Sequence, residues 1–310
     1  MEMGMVGLGR MGGNMVLRLM KRGHRIIAYD RSADAVKQKA SQGAVGAGSV
    51  QAFVKSFESK PRVMWIMVPA GDPTTEAIDQ LVELGDPGDI IIDGGNTNWK
   101  LAMQDCARVK AKGMHYMDAG TSGGIWGLEY GYCLMVGAEP GIYDYCLPLL
   151  KDLAPDDGGL VHTGPEGSGH FVKMVHNGVE YGLMQAYAEG FQVMKLSSTF
   201  PGMNMQAIAE AWRTGSVVRS WLLDLIARGL EQDPDLSAIK GWVEDTGEGR
   251  WTVEAAIDES VPVPIIAESL FARFRSRMEN TFGDRMLAMM RNQFGGHAVI
   301  TDAKGEAARK

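Results

Sequence analysis

Met3-Gly4-Met5-Val6-Gly7-Leu8-Gly9-Arg10-Met11-Gly12 is the stretch that decides the fold of the first half of this chain. Residues 3–6 predict a short apolar strand, the segment from Met11 to Lys21 carries apolar residues at helical spacing, and Arg25 to Tyr29 predict a second strand ending in Asp30. A Gly-x-Gly-x-x-Gly pattern signals a dinucleotide site only when it stands between a strand and a helix, as it does here. Gly7 makes the turn, Gly9 lets a pyrophosphate approach the backbone and Gly12 permits close helix packing. Leu8, Arg10 and Met11 complete the loop, whose amides at the helix N-terminus meet phosphate charge. Asp30 stands 18 residues after Gly12, where an acid takes the ribose hydroxyls of NAD. Its charge opposes the 2'-phosphate of NADP, so NAD is expected. Arg31, next to it and followed by Ser32, can stack on adenine or reach a phosphate, which leaves NADP admitted as well. The competing reading of Asp30 is a turn or capping acid before the helix from Ala33.

The alternation continues outward from this module. Residues 62–68 predict an apolar strand closed by Pro69-Ala70-Gly71, with Val68 and Ala70 at its cofactor-facing end. Thr74 to Leu84 is helical in pattern, Asp89 to Asp93 a strand closed by Gly94-Gly95-Asn96, residues 99–112 a helix, and His115–Asp118 and Tyr132–Val136 further strands. Strands separated by helices of this length imply βαβ units and a mostly parallel sheet, an α/β Rossmann-type domain. Ligands sit at the carboxyl ends of such strands. Asn96 there is a turn residue by composition and a substrate or nicotinamide hydrogen bonder by location. In Ala119-Gly120-Thr121-Ser122-Gly123-Gly124, Ser122 offers a hydroxyl and Gly123 and Gly124 offer open amides to a carboxylate or hydroxyl; a flexible turn is the competing reading.

Character changes after Pro165-Glu166-Gly167-Ser168-Gly169. A helix is predicted from His170 to about Leu196, with further helical patterns over 204–212, 216–230, 235–245, 252–259, 263–280 and 284–293. The expected domains are therefore 1–165, binding NAD(P), and 166–310, an all-helical substrate-binding and oligomerisation domain. On the long helix, Lys173, Asn177 and Glu180 are spaced by four and seven residues and share one face, with His176 at its edge. Val172, Val175, Val179 and Leu183 form the opposite face, read as buried. A base, an amide and an acid along one face suit dehydrogenation coupled to loss of CO2. Solvated surface charges are the ordinary alternative for Lys173 and Glu180, and a structural histidine for His176.

Composition removes other classes. A net charge of -7, from 31 basic and 38 acidic side chains without a basic stripe, argues against nucleic acid but not against a small anionic substrate. Cys106, Cys133 and Cys146 have no metal spacing and are odd in number, so a reduced, cytoplasmic protein without a metal site is expected. No signal-like start and no apolar stretch of membrane-spanning length are present, so neither secretion nor membrane insertion is expected.

Several blocks in order resemble the 6-phosphogluconate dehydrogenase family in its short form, over nearly all of the chain. Gly7 to Gly12 with Asn14-Met15, Asp118 to Gly124, and Lys173 with Asn177 resemble the wider β-hydroxyacid dehydrogenases. His176-Asn177-Gly178-Val179-Glu180-Tyr181-Gly182, Trp212-Arg213-Thr214-Gly215-Ser216-Val217-Val218-Arg219-Ser220, Gly247-Glu248-Gly249-Arg250-Trp251-Thr252 and Arg291-Asn292-Gln293-Phe294-Gly295-Gly296-His297 narrow the match. The resemblance implies oxidation and decarboxylation of 6-phospho-D-gluconate, with Lys173 as general base on the C3 hydroxyl and Glu180 as the later acid. It assigns Ser122, Gly123, Gly124, His176 and Asn177 to substrate hydroxyls or carboxylate, and Tyr181 and Arg219 to its phosphate. Arg291 and His297 resemble tail residues that reach a neighbouring subunit's site, in an oligomer that is tetrameric rather than dimeric in the short form. The longer members carry Lys-Gly-Thr-Gly-Lys-Trp-Thr where this chain has Thr246-Gly247-Glu248-Gly249-Arg250-Trp251-Thr252. Arg250 remains for the substrate, but Thr246 and Glu248 replace a phosphate-binding lysine and a threonine, which implies a weaker phosphate grip. Two other readings stay open. A 3-hydroxyisobutyrate-type dehydrogenase shares Lys173 and Asn177 but releases no CO2, and a non-catalytic NAD-binding protein would bind cofactor without reducing it.

Overall fold

The computed structural model of the chain describes residues 1–300. Eight strands, β1 (Glu2–Val6), β2 (Arg25–Tyr29), β3 (Val45–Gly46), β4 (Val63–Ile66), β5 (Ile90–Asp93), β6 (His115–Ser122), β7 (Cys133–Ala138) and β8 (Leu160–Gly164), form one sheet. Their order is β3-β2-β1-β4-β5-β6-β7-β8, parallel except where β7 runs against β6. The chain order reverses between β1 and β4, and the carboxyl end of such a switch point is where open α/β sheets take ligands.

The helices of this half are α1 (Arg10–Lys21), α2 (Ala33–Ser41), α3 (Val50–Lys55), α4 (Asp72–Leu84), α5 (Trp99–Ala111), α6 (Gly127–Tyr130) and α7 (Pro140–Leu153). They cover both faces of the sheet, and the sequence reflects this. Ile90 and Ile92 enter one buried cluster with Met3, Met5 and Leu19, while Ile91 enters the other with Ile27, Phe53 and Tyr116. Strands buried on both faces read as unbroken apolar runs, because alternate side chains serve opposite cores.

Then follow α8 (Ser168–Lys195), α9 (Met205–Trp212), α10 (Trp221–Gln232), α11 (Glu248–Asp258), α12 (Pro264–Arg275) and α13 (Phe282–Gly295). The chain divides into two compact units, Met1–Val179 with Glu248–Ser260, and Glu180–Gly247 with the segment from Val261 onward. Packing thus cuts across the division at 165 read from the motifs: the first turns of α8, and all of α11, belong with the sheet. In the second unit, Met205, Ala209, Leu223, Ala227 and Leu230 pack with Tyr187, Phe191 and Met194 of α8.

Several sequence expectations need correction. β6 continues to Ser122, so Ala119 to Ser122 are strand rather than loop; the antiparallel partner β7 supplies the extra ladder. The strands β3 and β8 and the helices α3, α6 and α7 are not foreseen from the sequence, α7 because Pro140 and Pro148 obscure its period. Residues 235–245 are turns, not helix. There the Asp233 carboxylate accepts from the Ala238 N–H at 3.1 Å, a local bond that competes with helix formation. α10 starts at Trp221, capped by Ser220, rather than at 216, and α12 ends at Arg275 rather than near 280. The largest correction concerns α8. Val179 and Leu183 are 50% and 46% exposed and Val172 is exposed too, whereas Lys173 is 5% exposed and Asn177 is buried. The polar face lies inward and the apolar face outward.

Candidate active site

The glycine loop has the shape a dinucleotide needs. Gly7 has φ +98°, and a Cβ there would stand 2.8 Å from the Met67 carbonyl carbon; one at Gly12 would collide with the Gly7 carbonyl oxygen. A Cβ at Gly9 would meet nothing within 4 Å. Gly7 and Gly12 are therefore demanded by the protein's own backbone, and Gly9 by whatever approaches it. No side chain caps the start of α1 and its first turn holds no acid, which leaves amides for an anion. Beside it lies a cavity of about 330 Å³ lined by Gly9, Asp30, Arg31, Val68 and Pro69, with Glu76 and Gln80 of α4. Asp30 is a turn acid that also lines this cavity. Its Oδ2 accepts from Leu8 N–H at 2.7 Å and its Oδ1 from Ser32 N–H at 2.8 Å, so it braces the glycine loop while edging the cavity. Ser32 caps α2 and Ala70 is exposed after β4.

The seat of α8 is built by missing side chains. A Cβ on Gly120 would stand 2.7 Å from the Gly169 carbonyl oxygen and run into Lys173, and one on Gly169 would stand 2.7 Å from Asp118 O and 2.8 Å from Gly137 N. The helix can thus lie directly on β6 and β7. Asp118, at the middle of β6, accepts from the N–H groups of Gly167 at 2.6 Å and His170 at 2.7 Å, satisfying amides at the helix start. His170 is fully buried with Nε2 3.1 Å from Asp93 Oδ2, off the line of the ring N–H, so their attraction is mainly Coulombic. Tyr116 donates to the same Asp93 oxygen at 3.1 Å. Burial would lower the basicity of His170, but Asp93 first, then Asp118 and Glu248, raise it above the ordinary value. Burial pushes Asp93 up, and His170 outweighs it and holds the carboxyl below its usual range; in Asp118 burial prevails and the carboxyl rises.

Three of the predicted residues meet on this helix, together with Glu248 of α11. Lys173 Nζ donates to Asn177 Oδ1, His176 Nδ1 lies 2.9 Å from the same oxygen, and Asn177 Nδ2 donates to Glu248 Oε2. Ser122 is half-buried at the end of β6, followed by Gly123 and by Gly124, where an added Cβ would meet nothing. Asn96 is bound twice to Thr121: its Nδ2 donates to the carbonyl at 3.1 Å and its Oδ1 accepts from the N–H at 2.9 Å. That ties the loop after β5 to β6. Arg250 is exposed on α11. In the second unit, buried Tyr181 accepts from the Thr246 N–H at 3.4 Å, and the Arg273 guanidinium lies over its ring at 3.5 Å. Arg219 is exposed ahead of α10, and Arg291 and His297 are exposed on and after α13. The sequence reading missed Arg273 and gave Glu248 no role in binding or catalysis. A glutamate three residues before a helical tryptophan carries no signal of its own; only the fold brings it to Asn177.

Residues 2–164 match the family described as the NAD binding domain of 6-phosphogluconate dehydrogenase, and residues 169–305 its C-terminal domain. The chain belongs to the 6-phosphogluconate dehydrogenase family. It is 41% identical over 300 residues to the NAD(+)-dependent, decarboxylating 6-phosphogluconate dehydrogenase of Haloferax volcanii, covering 96% of this chain and 98% of that one. A decarboxylating 6-phosphogluconate dehydrogenase of Bacillus licheniformis is 35% identical, but this chain spans only 64% of it. Among solved structures, that of Plasmodium falciparum 6-phosphogluconate dehydrogenase, studied in its apo form and with NADP+ or 6-phosphogluconate, gives a TM-score of 0.83 at 27% identity, over 99% of this chain and 67% of that one. The 3-hydroxyisobutyrate dehydrogenase of Mycobacterium tuberculosis, at 21% identity and a TM-score of 0.71, shares the fold.

Proposed function

We propose that this protein converts 6-phospho-D-gluconate to D-ribulose 5-phosphate and CO2 while reducing NAD+, with NADP+ a poorer partner. The observation that carries the reading is the buried Lys173 amine on the Asn177 amide, in a chain whose whole length follows the decarboxylating relatives. A buried lysine needs a polar partner and a purpose, and a substrate hydroxyl supplies the second.

The residues present fit a dinucleotide: the uncapped start of α1, the open space over Gly9 and the Asp30 edge would hold pyrophosphate and ribose. The nicotinamide, when bound, supplies the hydride acceptor. Lys173, unprotonated in the reacting state, takes the proton of the C3 hydroxyl as the ketone forms. The resulting 3-keto acid can release its carboxylate because the ketone accepts the electron pair; the protonated Lys173 amine then lies beside the developing enolate oxygen. Glu180, seven residues and about two turns along α8 at roughly 10 Å of rise, is assigned the proton delivered to C1. Ser122 with the amides of Gly123 and Gly124, and His176 with Asn177, are assigned to the carboxylate and hydroxyls. Tyr181, Arg219 and Arg250, with Arg291 and His297 from a neighbouring subunit, are assigned to the phosphate side.

Oligomerisation is part of this proposal. The apolar outer stripe of α8 is exposed, and α13 has no buried residue although it carries Phe282, Met286, Leu287, Met290 and Phe294. Such faces call for a partner, and a second copy of the chain is the one proposed. Among the described residues no helix is long and apolar enough to cross a membrane.

The direct test is a screen of sugar acids with CO2 detection: stoichiometric CO2 and ribulose 5-phosphate support the proposal, and oxidation without CO2 favours the 3-hydroxyisobutyrate-type reaction. Glu180→Gln is expected to lose about 10²-fold or more in kcat and to keep NAD binding; near-normal formation of ribulose 5-phosphate would reject the acid assignment. Steady-state kinetics with both cofactors test Asp30. The unaltered enzyme is expected to prefer NAD, and Asp30→Ala to narrow the ratio by removing the charge that opposes a 2'-phosphate, while lowering both efficiencies because the brace on Leu8 goes too. Equal efficiency before substitution would remove Asp30 as the selector.

A further inference from the structure

Position 248 entered the sequence reading only as a departure from the longer relatives, glutamate where they carry threonine. The structure gives it a place. α11 crosses α8 so closely that a Cβ on Gly178 would stand 2.7 Å from the Thr252 methyl, and the Thr252 hydroxyl lies 2.8 Å from Met174 O and 2.9 Å from Glu248 O. This contact fixes the first turn of α11 on α8, and Glu248, at its start, is buried with its carboxylate against the Asn177 amide.

A primary amide has a donating end and an accepting end, and a carboxylate only accepts. With Glu248 in place, Nδ2 of Asn177 must turn to it and Oδ1 must face Lys173 and His176. With the amide reversed, its NH2 would meet the lysine amine donor to donor, and its oxygen would meet a carboxylate. We propose that Glu248 is a positioning residue for the general base: it orients the Asn177 amide, and through that amide holds the Lys173 amine where the substrate hydroxyl is met. The proposal rests on Lys173 being the base. It also makes Glu248 the nearest carboxylate along this chain of contacts, so its charge favours the protonated amine. Among the groups that face this amine, His176 on its own helix shares the Asn177 oxygen, and the Cys133 thiol on β7 feels the lysine's charge.

Glu248→Gln and Glu248→Ala separate orientation from charge. Gln can still accept from Asn177 Nδ2; Ala cannot. The expected result with 6-phosphogluconate is a kcat loss of about 10- to 100-fold for Ala, with KM for NAD unchanged, and recovery of most of it by Gln. Both variants are expected to move the acid limb of the pH profile to lower pH, because both remove the negative charge. A merely structural role would move stability and leave that limb in place. Competitive acetylation of Lys173 against pH, read by mass spectrometry, checks the charge effect without turnover: its midpoint is expected to fall in both variants. An unchanged midpoint together with an unchanged kcat in the Ala variant overturns the proposal. A wild-type protein that fails to oxidise 6-phosphogluconate would overturn the proposed function instead, and the labelling comparison would still decide the role of Glu248.

Discussion

Lys173→Met is expected to lower kcat by about 10²- to 10⁴-fold, the range that a positioned general base contributes. Methionine keeps the length and apolar stem of the side chain, so the packing of Lys173 against the glycine position at 120 is retained while the amine is lost. The glycine loop and Asp30 lie on other elements, so NAD should bind with unchanged affinity in a titration followed by fluorescence. Asn177 loses a donor at Oδ1 and retains the His176 ring beside the same oxygen. A Met variant within tenfold of the parent in kcat would transfer the base to His176 or to a water and dismantle the proposed chemistry.

Asp118→Ala is expected to cost about 3–5 kcal/mol of folding stability, the scale for removing one partner from a buried charge pair. Two amides at the start of α8 lose their acceptor, and His170 is left with Asp93 and Glu248 as counter-charges. Urea denaturation measures it, and a loss under 1 kcal/mol would show that the helix needs no such anchor. The same cluster gives a pH dependence. His170 is raised by its carboxylates, so the stabilisation is fully present below its unfolded value of about 6.5 and is lost as pH rises through the higher folded value. Asp93, held low mainly by His170 against its own burial, contributes above its unfolded value and loses that contribution as the medium becomes strongly acid. His170→Phe should flatten the alkaline side of the stability profile.

The glycine loop was legible because its chemistry is local: strand, turn and helix adjoin in sequence, and β1, α1 and β2 fall within a residue of their expected bounds. Lys173 and Asn177 were legible for the same reason, since helical spacing alone puts them together. The orientation of α8 was not. Valines usually mark the inner face of a helix, but here Gly120, Gly137 and Gly169 leave a flat seat that a polar face can occupy, with partners supplied by α11 and β6. Glu248 lies 71 positions from Asn177 along the chain, and no period in the sequence connects them. β8 was hidden by its short polar-containing run, and α7 by Pro140 and Pro148, which interrupt its period.

The bare glycine positions where α8 meets β6 and β7, 120 and 137 on the strands and 169 on the helix, set a boundary for anyone wishing to retrain this scaffold toward other hydroxy acids. Diversity can be introduced instead at Arg219, an exposed residue ahead of α10. A single methyl group added at this contact would tilt α8 away from the strand, and libraries that leave codons 120, 137 and 169 untouched should yield far more working clones than those that do not.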